Sequence, residues 1–346
     1  MKNSGHDDMR SEPMFIAEIS ANHLGSLARA HLLVNAAIDA GATAVKFQTY
    51  TADTMTLNLD TDHFKISSDH ELWGNRKLYE LYEEAHTPWA WHKELFELCR
   101  ARGVIPFSSP FDATAVDFLE SLDVAMYKIA SMESADIPLI KKVALTGKPL
   151  IISTGGTELE EIEDLVATVR ECGNENLTLM VCTSSYPALP LDAHLSRIST
   201  LRKSFNVKVG VSDHTLGLGV SIAAIALGAV AVEKHLTLKR SDGGADGAFS
   251  MEPAEFSQLV KEGKSAFESI GDPEWSIQQS ERESRRLRRS LHITQAVSKG
   301  EKVSPHNVRA IRPNGGLSPK YLEEVIGREF NEAYEIGTPL NFDQLD

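Results

Sequence analysis

The sequence predicts an α/β protein, a (β/α)8 TIM barrel followed by a small C-terminal domain. Eight short apolar runs rich in β-branched residues recur along the chain, and each precedes a longer segment of helical periodicity. Eight such units suit a closed barrel of parallel strands, and the 346 residues leave room for a second, smaller domain. A doubly wound open sheet is the alternative. It usually has fewer strands, and no G-x-G-x-x-G motif follows the first run.

The predicted strands and helices alternate along the chain. The eight predicted strands cover residues 15–20, 44–50, 104–110, 126–131, 149–155, 177–184, 207–214 and 229–237. Three of the helices are predicted at residues 27–40, 87–102 and 159–172, and each stops before a glycine, at Gly41, Gly103 and Gly173. Glycine suits the end of a helix because it adopts a positive φ without strain.

Every predicted strand has polar residues at or just after its carboxyl end. In a TIM barrel the catalytic groups lie at the carboxyl ends of the strands, where the βα loops begin. Any one of these residues alone is most simply a polar side chain that is hydrogen-bonded at a strand end. Polar residues at all eight strand ends together predict an active site. In chain order they are Glu18, Asn22, His23, Lys46, Gln48, Ser108, Ser109, Lys128, Ser131, Glu133, Ser153, Thr154, Thr183, Ser184, Ser185, Tyr186, Ser212, Asp213, His214, Glu233, Lys234 and His235.

The chain changes character after Gly271. Residues 1–271 form the predicted barrel domain, with its core starting at about residue 14, and residues 272–289 read as a charged linker. The arginines of this linker are interpreted as the solvated face of a helix rather than a ligand site. Residues 290–346 form a compact unit with turn signals at Lys299-Gly300, Asn314-Gly315-Gly316 and Ile336-Gly337. A unit this small buries little core by itself, so it is expected to dock onto the barrel.

Composition excludes several classes of protein. The chain is 42% hydrophobic and 24% charged, as in ordinary globular proteins, and its formal charge of −14 disfavours a nucleic-acid-binding surface. No run approaches the roughly 20 apolar residues that span a bilayer. The opening residues lack the apolar segment of a secretory signal, and three cysteines cannot all pair within one chain. We therefore expect a cytoplasmic protein that binds neither nucleic acid nor membrane.

The segments at the strand ends resemble those of the sialic acid synthases. They read AEISANH (17–23), VKFQTY (45–50), FSSPF (107–111), YKIAS (127–131), ISTGG (152–156), CTSSYP (182–187), GVSDHTLG (210–217) and EKH (233–235). The C-terminal segment 298–319, SKGEKVSPHNVRAIRPNGGLSP, resembles the antifreeze-like domain of that family, also called a SAF domain, with a β-clip fold. Within the family, SANH and the stretch 72–92 look like pseudaminic acid synthases rather than N-acetylneuraminate synthases.

The resemblance implies a site for phosphoenolpyruvate. This small trianion needs cations and many hydrogen-bond donors. Barrel lysines also serve as Schiff-base nucleophiles in class I aldolases, and that alternative predicts activity without a metal. The positions that match the family's phosphoenolpyruvate pocket are Lys46, Ser109, Lys128, Ser131, Ser153, Ser184, Tyr186 and Ser212.

His214 and His235 end the predicted strands seven and eight, which places two imidazoles at one mouth of the barrel. A single histidine there is more often structural. The SDH and EKH contexts resemble the family's ligands for Mn2+ or Mg2+, and Co2+ is a further option. Two nitrogen ligands with open positions suit such an ion, which acts as a Lewis acid on an aldehyde.

The remaining assignments are also implied by the resemblance. Glu18 and Asp246 match the acid-base carboxylates, while Glu133 and Gln48 match groups that bind the acetamido sugar. Arg312 matches an arginine that reaches the sugar from the partner subunit, so a domain-swapped homodimer is expected; the simpler alternative is that Arg312 caps its own domain.

Three functions remain open. The first is a pseudaminic acid synthase using 2,4-diacetamido-2,4,6-trideoxy-L-altrose, whose product enters surface glycans such as those of flagellin. The second is a neuraminate or legionaminate synthase using an N-acetylmannosamine-type sugar. The third is a non-catalytic barrel whose C-terminal domain binds a glycan, against which the intact Glu18, Lys46, Lys128, His214 and His235 argue.

Overall fold

The computed structural model describes residues 12–68, 73–271 and 273–346. The chain divides after Gly271 into two compact units. Three parts of the sequence predictions lie outside the described residues: the polar opening segment up to residue 11, Leu72 of the pseudaminic-type stretch, and Asp272 at the start of the predicted linker.

Eight parallel strands close into a barrel in chain order, so the predicted TIM barrel is confirmed. The first strand pairs with the second and also with the eighth, where Glu18 is in register with His235. Strand pairing therefore brings the polar residues at the strand ends to one mouth. The strands are β1 (Met14–Glu18), β2 (Ala44–Thr49), β3 (Ile105–Pro110), β4 (Tyr127–Ile129), β5 (Leu150–Ser153), β6 (Leu177–Cys182), β7 (Lys208–Ser212) and β8 (Ala231–His235).

The predicted apolar runs extend past several of these strands. The run 126–131 yields only β4, because Ser131–Ala135 forms a 3-10 helix. Likewise 207–214 and 229–237 shorten to β7 and β8. Ser131, Asp213 and His214 are among the polar residues that lie beyond the strands, in the βα loops.

Helices surround the barrel, and their ends follow local chemistry. Ser26 and Asp112 cap helices by accepting hydrogen bonds from backbone amides. Gly41, Gly103 and Gly173 all adopt positive φ just beyond their helices, as predicted. The helices are α1 (Leu27–Asp39), α2 (Ala52–Met55), α3 (Leu78–Ala85), α4 (Trp89–Ala101), α5 (Ala113–Ser121), α6 (Ile137–Ala144), α7 (Leu159–Glu171), α8 (Arg197–Phe205), α9 (Gly219–Ala226) and α10 (Pro253–Ser269).

The main hydrophobic core lies between the barrel strands and these helices, with Phe15, Phe47, Phe96 and Phe256 fully buried. Between β2 and α4 the chain makes an excursion through residues 51–85, which we call the β2 insertion. It contains α2, an antiparallel pairing of Lys65 with Lys77, and α3.

The second unit has its own small core. Strands β9 (Ser290–Ile293) and β10 (Val308–Ile311) pair antiparallel. Leu291, Val303 and Phe330 are buried at the centre. Two short helices, α11 (Arg282–Arg286) and α12 (Leu322–Val325), belong to this unit, and the arginines of α11 are exposed. Among the described residues of the whole chain, no helix is long and apolar enough to cross a membrane.

Candidate active site

A pocket of about 400 Å³ opens at the carboxyl ends of the barrel strands. Most of the predicted site residues line it, and Glu18, Ser109 and Ser184 lie directly behind its surface, against lining residues. Arg312 belongs to the second unit, where it is exposed beyond β10. The predicted residues that line the pocket are Lys46, Gln48, Lys128, Ser131, Glu133, Ser153, Tyr186, Ser212, His214, His235 and Asp246.

The deepest part of the site is a buried ion-pair network formed by Glu18, Lys46, Lys128 and Glu233, which we call the charged floor. Lys46 pairs with Glu18, and its Nζ lies 3.5 Å from Oε1 of Glu233. Lys128 Nζ lies 2.8 Å from Oε2 of Glu233. Each of the four side chains is less than 6% exposed. Strands β1, β2, β4 and β8 each contribute one member, so barrel closure itself assembles the floor.

Burial and ion pairing shift the pKa values of the charged-floor residues in opposite directions. Burial raises the pKa of Glu18 to about 7, and Lys46 opposes that rise. Burial also acts upward on Glu233, but Lys128 and Lys46 outweigh it and hold the pKa of Glu233 at about 2. The pKa of Lys128 is lowered, chiefly by burial, whereas the two glutamates raise that of Lys46 despite burial. An arriving anion would therefore meet ammonium groups that are already out of water.

Serine hydroxyls surround the lysines. Ser109 Oγ lies 3.4 Å from Lys46 Nζ, and Ser212 Oγ donates to Glu233 at 3.2 Å. The buried Oγ atoms of Ser153 and Ser184 have no hydrogen-bond partner in the part of the chain that the structure describes. Buried polar atoms are nearly always paired, so unpaired hydroxyls beside two lysines indicate a polar ligand.

Gly155 shapes this serine cluster by having no side chain. Its amide donates to Ser131 Oγ at 3.1 Å. A Cβ at this position would collide with Ser184 Oγ and would lie 2.8 Å from Ser131 Oγ. The two hydroxyls thus crowd the backbone at the end of β5, where only glycine leaves them room.

The two predicted metal ligands face each other at the mouth of the barrel. The ring centroids of His214 and His235 are 5.3 Å apart. Nδ1 of His214 lies 3.0 Å from the Thr183 carbonyl oxygen, whereas the buried Nδ1 of His235 makes no hydrogen bond to any described residue. Across residues 12–68, 73–271 and 273–346, no three His, Cys, Asp or Glu side chains converge closely enough to hold a metal ion. The chain itself therefore offers two imidazoles and an unpaired ring nitrogen.

Asp246 reaches this pair from the loop after β8. Its Oδ2 lies 3.7 Å from Nδ1 of His235 and accepts from the Ala21 amide at 3.4 Å. Burial raises the pKa of Asp246. The loop is fastened at its base, because Ser250 donates to the Asp246 carbonyl at 2.6 Å. The predicted acid-base residue is thus buried beside the histidines.

Glu133 and Gln48 occupy the polar sides of the pocket. Glu133 Oε2 is buried without a hydrogen bond in the described chain, and burial raises the pKa of Glu133 to about 7. Gln48 donates to Ser20 Oγ at 2.9 Å and to Glu18 Oε1 at 3.4 Å. Tyr186 packs against His214 with ring centroids 4.5 Å apart. All three side chains are placed to touch a ligand above the charged floor.

One side of the pocket was not predicted from the sequence. Five apolar residues of the β2 insertion face the cavity, and we call them the insertion wall. They are Met55, Ile66, Leu78, Leu81 and Ala85. Helical periodicity in α3 was the available signal, but the same pattern is typical of a helix packed on the core.

Glu233 was singled out only as part of the EKH segment, and no role was assigned to it. Its place in the charged floor depends on contacts with lysines from two other strands. The available signal was chemical. Two buried lysines require buried counter-charges, and Glu18 alone balances only one of them.

Comparison with known proteins identifies relatives along nearly the whole chain. The sequence profile of the NeuB family matches residues 33–274, and that of the SAF domain matches residues 288–346. Over 336 residues the chain is 40% identical to the pseudaminic acid synthase of Campylobacter jejuni subsp. jejuni serotype O:23/36 (strain 81-176), covering 97% of each chain. The pseudaminic acid synthase of Helicobacter pylori (strain ATCC 700392 / 26695) is 41% identical over 339 residues, which are 98% of this chain and 99% of the relative.

A solved structure extends the likeness to the fold. The N-acetylneuraminic acid (sialic acid) synthetase from Leptospira borgpetersenii serovar Hardjo-bovis superposes with a TM-score of 0.71 at 30% identity. The alignment covers 80% of this chain and 90% of that one. The fold is therefore shared with a sialic acid synthetase.

Proposed function

The chain belongs to the NeuB family and ends in a SAF domain, and from this premise we propose that it is a pseudaminic acid synthase. The reaction joins phosphoenolpyruvate, 2,4-diacetamido-2,4,6-trideoxy-L-altrose and water to give pseudaminic acid and phosphate. The observation that carries the proposal is the charged floor beneath two unpartnered serine hydroxyls. It is an anion site ready for a phosphate and a carboxylate. The higher identity to pseudaminic acid synthases than to the sialic acid synthetase supports the choice of sugar.

Phosphoenolpyruvate fits the charged floor for electrostatic reasons. Lys46 and Lys128 supply two ammonium groups, the hydroxyls of Ser131 and Ser184 converge beside Gly155, and Ser153 lines the same pocket. In a buried site each charge-assisted hydrogen bond to an anion is roughly twice as strong as a neutral one. Burial in the barrel has already removed both lysines from water, so binding of the anion requires no new cation to be desolvated.

The reaction forms one carbon-carbon bond and breaks one carbon-oxygen bond. C3 of phosphoenolpyruvate attacks the aldehyde carbon of the open-chain sugar, and water adds at C2 of phosphoenolpyruvate. The resulting tetrahedral intermediate expels phosphate with its bridging oxygen. The aldehyde oxygen gains a proton and the water loses one, so two placed acid-base groups are needed. Asp246 lies beside His235, and Glu18 lies beside Lys46, which supports the proposal that each carboxyl serves one of the two reacting centres.

A divalent ion, Mn2+ or Mg2+ with Co2+ as a further option, would be held by His214 and His235. The unpaired, buried Nδ1 of His235 and the facing imidazole of His214 fit such an ion. When bound, the ion would polarise the sugar aldehyde as a Lewis acid. Water and substrate would complete its coordination, because the protein provides two nitrogen ligands.

The second candidate is a neuraminate or legionaminate synthase, which would share the charged floor and differ only in the sugar. A non-catalytic glycan-binding barrel is disfavoured by energetics. A buried network of four charged groups costs several kcal/mol in desolvation per ion, and simple sugar binding gives no reason to maintain it.

The deciding experiment measures phosphate release from phosphoenolpyruvate with Mn2+ and then with EDTA. The diacetamido-trideoxy-altrose and N-acetylmannosamine are offered in parallel. We expect release with the altrose sugar and its loss in EDTA, restored by added Mn2+. Release with N-acetylmannosamine alone would move the assignment to the neuraminate branch, and release that persists in EDTA would favour Schiff-base chemistry at a lysine.

We also propose a domain-swapped homodimer in which Arg312 completes the partner's sugar site. Arg312 is an exposed cation following β10, as such a contact requires. In the dimer, Arg312→Ala should raise the sugar KM with little change in the phosphoenolpyruvate KM, and sedimentation should show a dimer. A monomer, or an unchanged sugar KM and kcat, would contradict this.

The free cysteines at 99, 172 and 182 suit a cytoplasmic enzyme whose product enters surface glycans such as those of flagellin.

A further inference from the structure

The insertion wall has a composition that the proposed chemistry does not explain. Helix α3 places Leu78, Leu81, Tyr82 and Ala85 along the pocket, at the i, i+3, i+4, i+7 spacing of one helix face. Such a stripe normally packs against a protein core. Here it borders a cavity with a charged floor, while glutamates on the opposite face are exposed.

Two further residues extend this apolar surface. Met55 at the end of α2 and Ile66, next to the Lys65–Lys77 pairing, both line the pocket. The backbone of Ile66 is held on both sides, because its amide donates to Arg76 at 3.0 Å and its carbonyl accepts from Asn75 at 3.2 Å. Within the described part of the β2 insertion, none of the pocket-lining residues is charged. Apart from the Tyr82 hydroxyl, this side of the cavity therefore offers few hydrogen-bond partners.

The position of the insertion wall determines which part of a sugar meets it. The aldehyde carbon must reach phosphoenolpyruvate over the charged floor, so C1 of the open-chain sugar lies near Lys46 and the histidines. The β2 insertion approaches that centre through Trp73, whose ring lies 5.9 Å from that of Tyr186. Helix α3 lies beyond, where Tyr82 meets Tyr50 at the end of β2 with ring centroids 5.8 Å apart. The end of the sugar remote from C1 faces this helix.

We propose that the insertion wall is the subsite for C6 of the sugar and that it selects a 6-deoxy sugar over its 6-hydroxy counterpart. This inference rests on the proposed function and adds the residues that determine specificity. A methyl group gains contact with Leu78 and Ile66, whereas a hydroxyl at the same place loses water without gaining a partner. An apolar pocket discriminates against an added hydroxyl by at most about 100-fold.

The test compares kcat/KM for two sugars that differ at one atom. They are 2,4-diacetamido-2,4,6-trideoxy-L-altrose and 2,4-diacetamido-2,4-dideoxy-L-altrose, each with saturating phosphoenolpyruvate and Mn2+. We expect the unaltered enzyme to prefer the 6-deoxy sugar by about 10- to 100-fold. Leu78→Gln provides a hydrogen-bonding group at the start of α3 and should reduce that ratio about tenfold without changing the phosphoenolpyruvate KM. Ile66→Thr keeps the β-branched shape and should reduce the ratio in the same direction.

Leu57→Gln is the matched control, since Leu57 belongs to the β2 insertion but is exposed and does not line the pocket. Its sugar ratio should equal that of the unaltered enzyme. Equal use of both sugars by the unaltered enzyme, or an unchanged ratio in both Leu78→Gln and Ile66→Thr, would overturn the subsite while leaving the synthase assignment intact. Phosphate release with neither sugar would overturn the proposed function itself, and the subsite with it.

Discussion

The charged floor and the insertion wall face the same cavity but are built differently. The floor takes one side chain from each of four barrel strands, and those side chains are almost fully buried. The wall comes from the single excursion between β2 and α4, and most of its residues are half-buried. The first region depends on closure of the whole barrel, whereas the second depends on one segment of chain.

This difference suggests separate roles for the two regions, catalysis for the floor and choice of sugar for the wall. Because four barrel strands carry the floor, we expect the chemistry common to the family to depend on its lysines and glutamates. The wall adds contacts to the distant end of the sugar without touching the ion pairs. Substitutions in the floor should therefore alter catalysis with every sugar, and substitutions in the wall should alter preference among sugars.

The largest effect should come from breaking the charged floor. Lys128→Met removes an ammonium group that phosphoenolpyruvate needs and leaves Glu233 with one partner fewer. We expect kcat/KM for phosphoenolpyruvate to fall at least about 1,000-fold with either sugar, measured by phosphate release. Lys142→Met is the control, because Lys142 pairs with Asp117 on the surface at 2.7 Å and should leave activity unchanged. A loss confined to one sugar would contradict the separation of the two regions.

A smaller effect is expected from an unpartnered hydroxyl beside the floor. Ser153→Ala removes an Oγ that has no partner in the described chain, so the melting temperature should hold or rise. The phosphoenolpyruvate KM should rise about tenfold, because an anion contact is lost. Ser108→Ala provides the contrast, since Ser108 Oγ bonds Thr49 at 2.7 Å and its loss should lower stability. An unchanged KM in Ser153→Ala would remove this serine from the anion site.

A weaker effect should follow from loosening the wall. The indole nitrogen of Trp73 donates to the Ala245 carbonyl at 3.0 Å, which ties the β2 insertion to the loop that carries Asp246. Trp73→Phe keeps an aromatic ring and removes this bond. We expect the sugar KM to rise about fivefold, in line with the roughly 1 kcal/mol of one hydrogen bond, with the phosphoenolpyruvate KM unchanged. Equal changes in both KM values would indicate a general disturbance of the pocket.

The last prediction concerns stability rather than catalysis, and it rests on a buried histidine outside the pocket lining. His92 on α4 is buried, contacts Thr49 at 2.8 Å, and has its pKa lowered by burial to about 4. The unfolded chain, with the ordinary value of 6.5, binds more protons between these two pKa values. His92 therefore contributes stability fully above pH 6.5 and loses it as the pH falls toward 4. At pH 5 the loss is about 2 kcal/mol.

His92→Gln should reduce the difference in unfolding free energy between pH 7.5 and pH 5 by that amount. Urea unfolding followed by tryptophan fluorescence measures the difference. The exposed His63→Gln is the control and should retain the pH dependence of the unaltered protein. An identical pH dependence in His92→Gln would show that folding does not lower the pKa of His92.

The two regions also differ in how far the sequence predicted them. The period of the strands and the polar residues at their ends located Glu18, Lys46 and Lys128 correctly at one mouth, because parallel strand ends must meet there. Strand length was overestimated at β4, where the polar residues turn into a 3-10 helix instead. The position of Asp246 in the pocket depended on the resemblance alone, since nothing local to a glycine-rich loop predicts it.

The wall could not be predicted because its contacts are long-range. Leu78 and Leu81 have the period of a core helix, and only the tertiary structure reveals that α3 borders a cavity. Ile66 lies in no periodic apolar pattern, and its position depends on backbone hydrogen bonds to Asn75 and Arg76. The partners of Glu233 are likewise distant in sequence, so its role required the closed barrel.

The continuity of the β2 insertion has an evolutionary consequence. Because one uninterrupted segment carries the whole wall, a single recombination event can exchange it between related genes without disturbing the residues that make the new bond. A donor segment must bring an indole at position 73, or another donor for the Ala245 carbonyl, to stay joined to the recipient. Exchange of this one segment should therefore change the sugar preference and leave the charged floor in place.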